Sequence, residues 1–223
     1  MGYTQNMTER TFPLAGASIR LAQNNDEASR KVGEVVWDAS YLLAKYVETR
    51  VPVSGKKVVE VGAGCGLVGL TATLLGGETI ITDRSRELEM AKKNIALNQA
   101  TLEAKRVVVR GVKTMELQWG KLEPAAAATL RPPVDLILGA DVLYYGKAVP
   151  LLLTTLKELS GSRTTIYICN KWRGLGAEER FVQMAEADFH VRRIPPGHLD
   201  QDLVAFQDIR VYRLRLKSPS ARP

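Results

Sequence analysis

Short apolar runs and amphipathic stretches alternate through the middle of the chain. Lys57-Val58-Val59-Glu60-Val61 is a β-rich run ending in glycines, and residues 67–75 are apolar and small, which suits a buried helix. Thr79-Ile80-Ile81-Thr82 predicts a second strand. Residues 85–99 predict a helix, with Leu88, Ala91 and Ile95 on one stripe and Lys92 and Lys93 outside it. Arg106-Val107-Val108-Val109, residues 134–138 and residues 164–168 predict three more strands, with a helix over 151–159 before the last. Ahead of the first strand, Ala39, Leu42, Leu43 and Tyr46 form the apolar side of a helix over about residues 38–48, and Ser18-Ile19-Arg20-Leu21 suggests a further strand. Strands alternating with helices predict an α/β fold, a mostly parallel sheet covered on both faces. The rhythm breaks at the end. Residues 189–194 and 209–216 are strand-like with a Pro195-Pro196-Gly197 turn and no helix between them, so they should pair antiparallel. Pro124 and the four alanines after it, followed by Pro132-Pro133, predict a surface loop.

Composition adds limits. The chain has 223 residues, 45% hydrophobic and 25% charged, an ordinary globular balance for one domain with modest extensions. No apolar run approaches the ~20 residues of a membrane span. Met1-Gly2-Tyr3-Thr4-Gln5-Asn6 lacks the apolar stretch of a secretory signal, so a soluble cytoplasmic protein is expected. Cys65 and Cys169 are too few and too isolated for a disulfide framework or a zinc site, and no metal is expected. The 31 Lys plus Arg against 24 Asp plus Glu leave a net charge of +7. Phosphate binding needs such residues, which raises a nucleic-acid partner. They are scattered, however, over Arg84 to Arg86, Lys92-Lys93, Lys105-Arg106, Arg192-Arg193 and residues 210–217, with no basic block interleaved with aromatics. A solvated basic surface is the simpler expectation.

The segment from Glu60 to Gly69 carries the most chemistry. Glycines there let the backbone turn sharply from strand to helix and let a ligand approach main-chain N–H groups. Gly64-x-Gly66-x-x-Gly69 fits the dinucleotide pattern literally. In a dinucleotide fold, though, the first glycine directly follows the strand; that glycine is Gly62, from which the pattern fails at Leu67. What fits is acidic-x-Gly-x-Gly-x-Gly from Glu60 to Gly66, similar to the loop of S-adenosylmethionine-dependent methyltransferases. That cofactor carries an ammonium and a sulfonium, so a carboxylate at Glu60 suits it better than it suits a pyrophosphate. A tight turn without a ligand is the alternative. Asp83 ends the second strand, where a carboxylate accepts hydrogen bonds from ribose hydroxyls, and it could also cap the helix that follows.

Gly139-Ala140-Asp141-Val142-Leu143-Tyr144-Tyr145 follows the fourth strand, at the sheet edge where ligands bind. Small Gly139 and Ala140 would let a cofactor lie close. Asp141 and Tyr144 offer a carboxylate and an aromatic wall to an amine, which arrives protonated because lysine titrates near pH ~10.4. The alternatives are a helix-start cap for Asp141 and a core position for Tyr144. Enzymes that methylate base amines carry Asn- or Asp-Pro-Pro-aromatic here; Val142 and Leu143 replace both prolines.

Val35-Val36-Trp37-Asp38-Ala39, the Glu60–Gly69 loop, Thr82-Asp83, Leu117-Gln118-Trp119-Gly120 and the Ala140 to Tyr145 run together resemble the seven-β-strand protein-lysine methyltransferases of the methyltransferase-like 21 group. Residues 141–161 and 207–212 are similar in particular to members acting on the valosin-containing AAA ATPase. The resemblance covers about residues 30–216. It implies a Rossmann-like seven-stranded, mostly parallel sheet with an antiparallel last strand, residues 35–217 forming the domain between an N-terminal extension (1–34) and a tail (218–223). It also implies that Trp37, Gly62, Ala63, Gly64, Asp83, Trp119 and Ala140 line an S-adenosyl-L-methionine pocket beside Glu60, with Asp141 and Tyr144 at a lysine channel. By composition alone both tryptophans would be core residues. The partner implied is a protein substrate, an AAA ATPase or chaperone, for a monomeric or weakly associating enzyme. Gly146-Lys147 and residues 169–174 depart from the family pattern close to where substrate should approach. An RNA methyltransferase and a non-catalytic binding module that keeps the fold are the alternatives.

Overall fold

Two-residue alternation along the strands sorts the core into two halves. In the computed structural model, which describes residues 8–24, 32–105, 112–199 and 208–218, Ile137, Ile166 and Ile168 lie in one apolar cluster. Their neighbours Leu136, Leu138, Tyr167 and Cys169 lie in the other. Successive side chains point to opposite faces of a strand, so both faces of this sheet are buried and both need cover.

The chain supplies that cover in order. It opens with a hairpin, β1 (Glu9–Leu14) and β2 (Ala17–Ala22), and passes a 3₁₀ turn at Val32–Glu34 into helix α1 (Asp38–Arg50). Then follow β3 (Lys57–Val61), α2 (Leu67–Leu74), β4 (Glu78–Asp83), α3 (Leu88–Leu97), α4 (Gln99–Ala104), β5 (Lys113–Glu116) and α5 (Pro124–Leu130). The last third holds β6 (Leu136–Ala140), α6 (Val149–Leu159), β7 (Thr165–Lys171), α7 (Ala177–Ala185), β8 (Phe189–Arg193) and β9 (Ile209–Leu216). Leu42, Val68 and Ala91, from α1, α2 and α3, close one face together with Ile19 and Leu21 of the hairpin. Leu152, Leu156 and Phe181, from α6 and α7, close the other.

The seven strands stand in the order β5-β4-β3-β6-β7-β9-β8. All neighbours are parallel except β9, which runs antiparallel to both β7 and β8. This is the α/β sheet expected from the sequence, antiparallel last strand included. The strand order reverses between β3 and β6, and at such a point two loops leave in opposite directions and open a crevice at the carboxyl ends of the strands.

Several elements differ from expectation. The strand expected at Arg106-Val107-Val108-Val109 falls outside the described residues, as do Gln207 and the tail beyond Ser218. The strand that pairs with β4 is Lys113–Glu116, whose single apolar residue, Met115, leaves no β signature; its place is set by the partner, Ile80 opposite Lys113 through Asp83 opposite Glu116. The alanine-rich stretch is a helix, α5, and not a loop. Pro124 starts it, where a fixed φ suits the first turn, and alanine is the strongest helix former. Helix α7 was not among the expected elements.

The hairpin is joined to α3 and the residue that ends it by two carboxamides, Asn94 and Asn98, that stand in for a third strand. The Asn94 side-chain oxygen accepts the Ala22 N–H at 2.7 Å, and its amide donates to the carbonyls of Ala22 (3.2 Å) and Cys65 (3.0 Å). Asn98 repeats this at Arg20, accepting its N–H at 2.9 Å and donating to its carbonyl at 2.6 Å. Both side chains are buried, so truncation strands peptide groups away from water. Asn94→Ala should lower the unfolding free energy by about 2–3 kcal/mol in urea titrations, the cost of buried polar groups left unpaired; a loss below about 0.5 kcal/mol would mean these bonds do not hold the hairpin.

Candidate active site

The crevice between β3, β4 and β6 encloses a cavity of about 550 Å³. Its floor is the loop after β3. Gly62 (φ +64°) and Gly64 (φ +52°) take left-handed conformations that side chains resist. A Cβ at Gly62 would come within 2.8 Å of Val142 Cγ1 and 3.0 Å of Trp119 Cζ2, and one at Gly64 within 3.0 Å of the Gly33 carbonyl oxygen. The loop is wedged between these neighbours, so its backbone can meet a ligand directly. Thr82 fixes it from beneath, its hydroxyl donating to the Glu60 carbonyl (2.6 Å) and its own carbonyl accepting the Ala63 N–H (3.0 Å).

Asp83 forms part of the cavity wall. One carboxylate oxygen accepts the Gly64 N–H at 2.8 Å and the other the Arg84 N–H at 2.7 Å. Burial raises its pKa, while those two N–H groups pull it back down. It does not cap α3, whose N-terminus follows Glu87 and has no side-chain cap. Trp37 and Trp119 add two indole walls. The Trp37 indole N–H donates to the Val32 carbonyl at 2.9 Å, which holds the Val32–Glu34 turn against the glycine loop.

Glu60 is the exception among the expected residues. Its side chain is 2% exposed, lies behind the loop and does not line the cavity. It accepts the Gly69 N–H at 2.9 Å, tying the first turn of α2 to β3. Desolvation lifts its pKa to about 8, the nearby Asp83 charge adding to the rise and the Gly69 bond opposing it. The carboxylate expected to face an ammonium is thus a buried structural group whose desolvation favours the protonated form at neutral pH.

At the opposite wall β6 ends at Ala140. Asp141 follows with φ +56°, a left-handed conformation that costs a non-glycine residue roughly 1–2 kcal/mol. Bonds from the end of β7 hold it there. Its N–H donates to the Cys169 carbonyl at 2.7 Å, and its carboxylate accepts the Lys171 N–H at 3.3 Å. Two shorter bonds come from Arg173, Nη1 to Oδ1 at 2.7 Å and Nη2 to Oδ2 at 2.6 Å. Asp141 is therefore neither a helix cap nor a free carboxylate. Tyr144 is 42% exposed and so is no core aromatic; it lines the cavity mouth with Tyr145 and Leu151, which are also exposed.

The structure brings Trp37, Gly62, Ala63, Gly64, Asp83, Trp119, Ala140, Asp141 and Tyr144 around one cavity and leaves Glu60 behind it. Arg173 was not among the expected residues. It lies 32 positions from Asp141 in sequence, and no motif marks it. Among the described residues, no group of three or more His, Cys, Asp or Glu comes together to hold a metal. Nor is any described helix long and apolar enough to cross a membrane. An aromatic-walled cavity of about 550 Å³ with a bare glycine backbone and an acid beside it fits S-adenosylmethionine in size and in polarity.

Comparison with known proteins points the same way. Residues 16–188 match the family model described as lysine methyltransferase. A zebrafish (Danio rerio) protein N-lysine methyltransferase METTL21A is 38% identical over 206 residues, 91% of this chain and 85% of the relative. The mouse (Mus musculus) EEF1A lysine methyltransferase 3 is 34% identical over 216 residues, 96% of this chain and 85% of that protein. Among solved structures, the Thermus thermophilus 16S rRNA N2 G1207 methyltransferase bound to AdoMet and guanosine matches with a TM-score of 0.60 at 16% identity, over 95% of this chain and 51% of that one. A TehB-like SAM-dependent methyltransferase from Corynebacterium glutamicum matches with 0.56 at 16% identity, over 85% and 91%. At such identities these two share the fold.

The raised Glu60 pKa has a measurable consequence. Between its ordinary value of 4.5 and about 8 the folded protein holds the Glu60 proton while the unfolded chain releases it, so rising pH across that window favours unfolding. Below 4.5 both states are protonated and the effect vanishes. Glu60→Gln keeps an acceptor for Gly69 without a titration. Its thermal stability relative to wild type should therefore climb as pH rises through the window; a difference that stays constant would mean Glu60 is ionised in the fold.

Proposed function

The chain belongs to the lysine methyltransferase family and transfers methyl groups from S-adenosylmethionine to lysine side chains of protein substrates; from that premise we propose that Asp141 and Tyr144 receive the lysine. Trp37, Gly62, Ala63, Gly64, Asp83, Trp119 and Ala140 hold the cofactor, which when bound supplies a methyl group on a positive sulfonium. The observation that carries this reading is the meeting of the glycine loop and the Asp141–Tyr144 turn at one cavity.

Asp83 keeps lone pairs for ribose hydroxyls while its bond to Gly64 fixes its orientation. Glu60 acts at one remove, anchoring α2 behind the loop. Tyr144, Tyr145 and Leu151 give the mouth an exposed apolar rim, against which the aliphatic stem of a lysine can lie while its amine reaches inward. Holding the amine in line with the methyl group is worth several kcal/mol, roughly 7–11 at the limit.

The substrate we infer is the valosin-containing AAA ATPase or a chaperone of that class, met by a monomeric enzyme in the cytoplasm. Support comes from the likeness of residues 141–161 and 207–212 to enzymes acting on that ATPase. The competing target is the EEF1A of the mouse relative's name.

Radiolabelled S-adenosylmethionine added to an extract from methyltransferase-deficient cells, with each candidate protein supplied in turn, tests the reading. Label should enter lysine of a protein band and survive nuclease; label lost with nuclease would make RNA the substrate. Asp83→Ala should weaken cofactor binding in calorimetry at least about tenfold, the loss of hydrogen bonds to a charged group. Asp141→Asn tolerates the left-handed backbone; it should leave cofactor affinity within about threefold yet cut methyl transfer about a hundredfold or more by misplacing the amine. Unchanged turnover would remove Asp141 from the acceptor site.

A further inference from the structure

The Asp141 carboxylate is only 5% exposed and has Arg173 clamped to both its oxygens. The same guanidinium donates to the Lys171 carbonyl at 3.2 Å and stands 5.9 Å from the centre of the Trp37 ring. It thus joins the ends of β6 and β7 to the segment that leads into α1. A carboxylate offers about four lone-pair sites. Arg173 takes two and the Lys171 N–H a third, which leaves one for an incoming amine.

A bare carboxylate would attract a lysine ammonium and, by the same attraction, hold its proton in place. Only the unprotonated amine has a lone pair for the methyl carbon. Resting on the reading above that Asp141 receives the lysine, we propose that Arg173 is a positioning residue that fixes the Asp141 carboxylate and cancels its charge, so that the lysine meets a hydrogen-bond acceptor and not a free anion. The ammonium gives its proton to water. Its lone pair then forms the nitrogen–carbon bond as the carbon–sulfur pair returns to sulfur, leaving a neutral thioether.

The surrounding charges are consistent with this compensation. Lys171 and Cys169 stand on β7, and the Cys169 thiol, pushed well up by burial, also feels Asp141 and the Glu178 of α7. Glu178 is itself paired with Arg210 of β9 at 2.7 Å. From the β4–α3 side Asp83, Arg84 and Glu87 face Tyr144, and the Val32–Trp37 segment presents the uncharged indole. The bond to Asp141 raises the Arg173 pKa further, so the guanidinium keeps its charge across the working range.

Methyl transfer from tritiated S-adenosylmethionine into the extract, at saturating cofactor from about pH 6.5 to about pH 9.5, tests this on Arg173→Ala, Arg173→Gln and Arg173→Lys. The alanine and glutamine variants should lose about tenfold near neutral pH, narrowing to about twofold at the alkaline end, because high pH removes the proton that compensation would have released. Arg173→Lys keeps the charge and should follow the wild-type pH dependence. A loss equal at every pH, or none, overturns the proposal: Arg173 would then serve the scaffold alone or nothing. Should Arg173→Ala fail to fold, the glutamine and lysine pair gives the same comparison. If wild type labels no protein although calorimetry shows cofactor binding, the acceptor reading beneath fails first and takes the proposal with it.

Discussion

A parallel strand cannot pass the chain directly to its neighbour; it needs a crossover, and from β3 to β7 each crossover in this protein lays at least one helix beside the sheet. Because successive residues of Leu136-Ile137-Leu138 and Ile166-Tyr167-Ile168-Cys169 point to opposite faces, neither face can be left to water. The helices fill both. That two-sided burial makes the strand order reverse at β3 and β6, and the reversal opens the one edge where loops diverge and a ligand can enter. The cavity is thus a consequence of how the core is covered.

Within the cavity wall, backbone geometry carries as much of the design as side chains do. Gly62 and Gly64 give way to Trp119, Val142 and the Val32–Glu34 turn, so the loop is held from three sides and presents bare peptide. Across from it Asp141 is held in a left-handed conformation by bonds from the end of β7 and the loop after it. Strain of this kind persists where the surroundings over-determine it, and such places cluster at functional sites.

Glu60, Asp83, Asp141 and Glu178 are answered in three ways, and the difference follows from reach. Glu60, desolvated behind the loop, keeps its proton at neutral pH. Asp83 borrows two backbone N–H groups. Asp141 and Glu178 lie at the ends of β6 and α7, within reach of arginines from the loop after β7 and from β9. Much of the remaining positive charge sits elsewhere. Arg192 and Arg193 are exposed on β8, the edge strand, where charge blocks edge-to-edge pairing with another sheet. Part of the excess that first raised nucleic acid therefore belongs to an edge.

Period-two runs, the glycine loop and the run from Ala140 to Tyr145 determined the sheet, its antiparallel end and the residues around the cavity, because those signals are local: strand periodicity, glycine at a forced turn, small residues at a strand end. The sequence misled where a local signal was weak or pointed elsewhere. Lys113–Glu116 has no β character of its own and is a strand because β4 is beside it. Asn94 and Asn98 look like the polar face of a helix and are buried because the hairpin needs hydrogen-bond partners there. Glu60 looked like a ligand for a cation, and only the packing of α2 turned its side chain inward. Arg173 stood out only as part of the 169–174 segment that departs from the family pattern; its contact with Asp141 was not legible, since it exists only when the ends of β6 and β7 stand side by side. Spacing along the chain sets which groups a strand or loop can present; which of them meet, and with what charge, is decided by tertiary contacts that close over many residues.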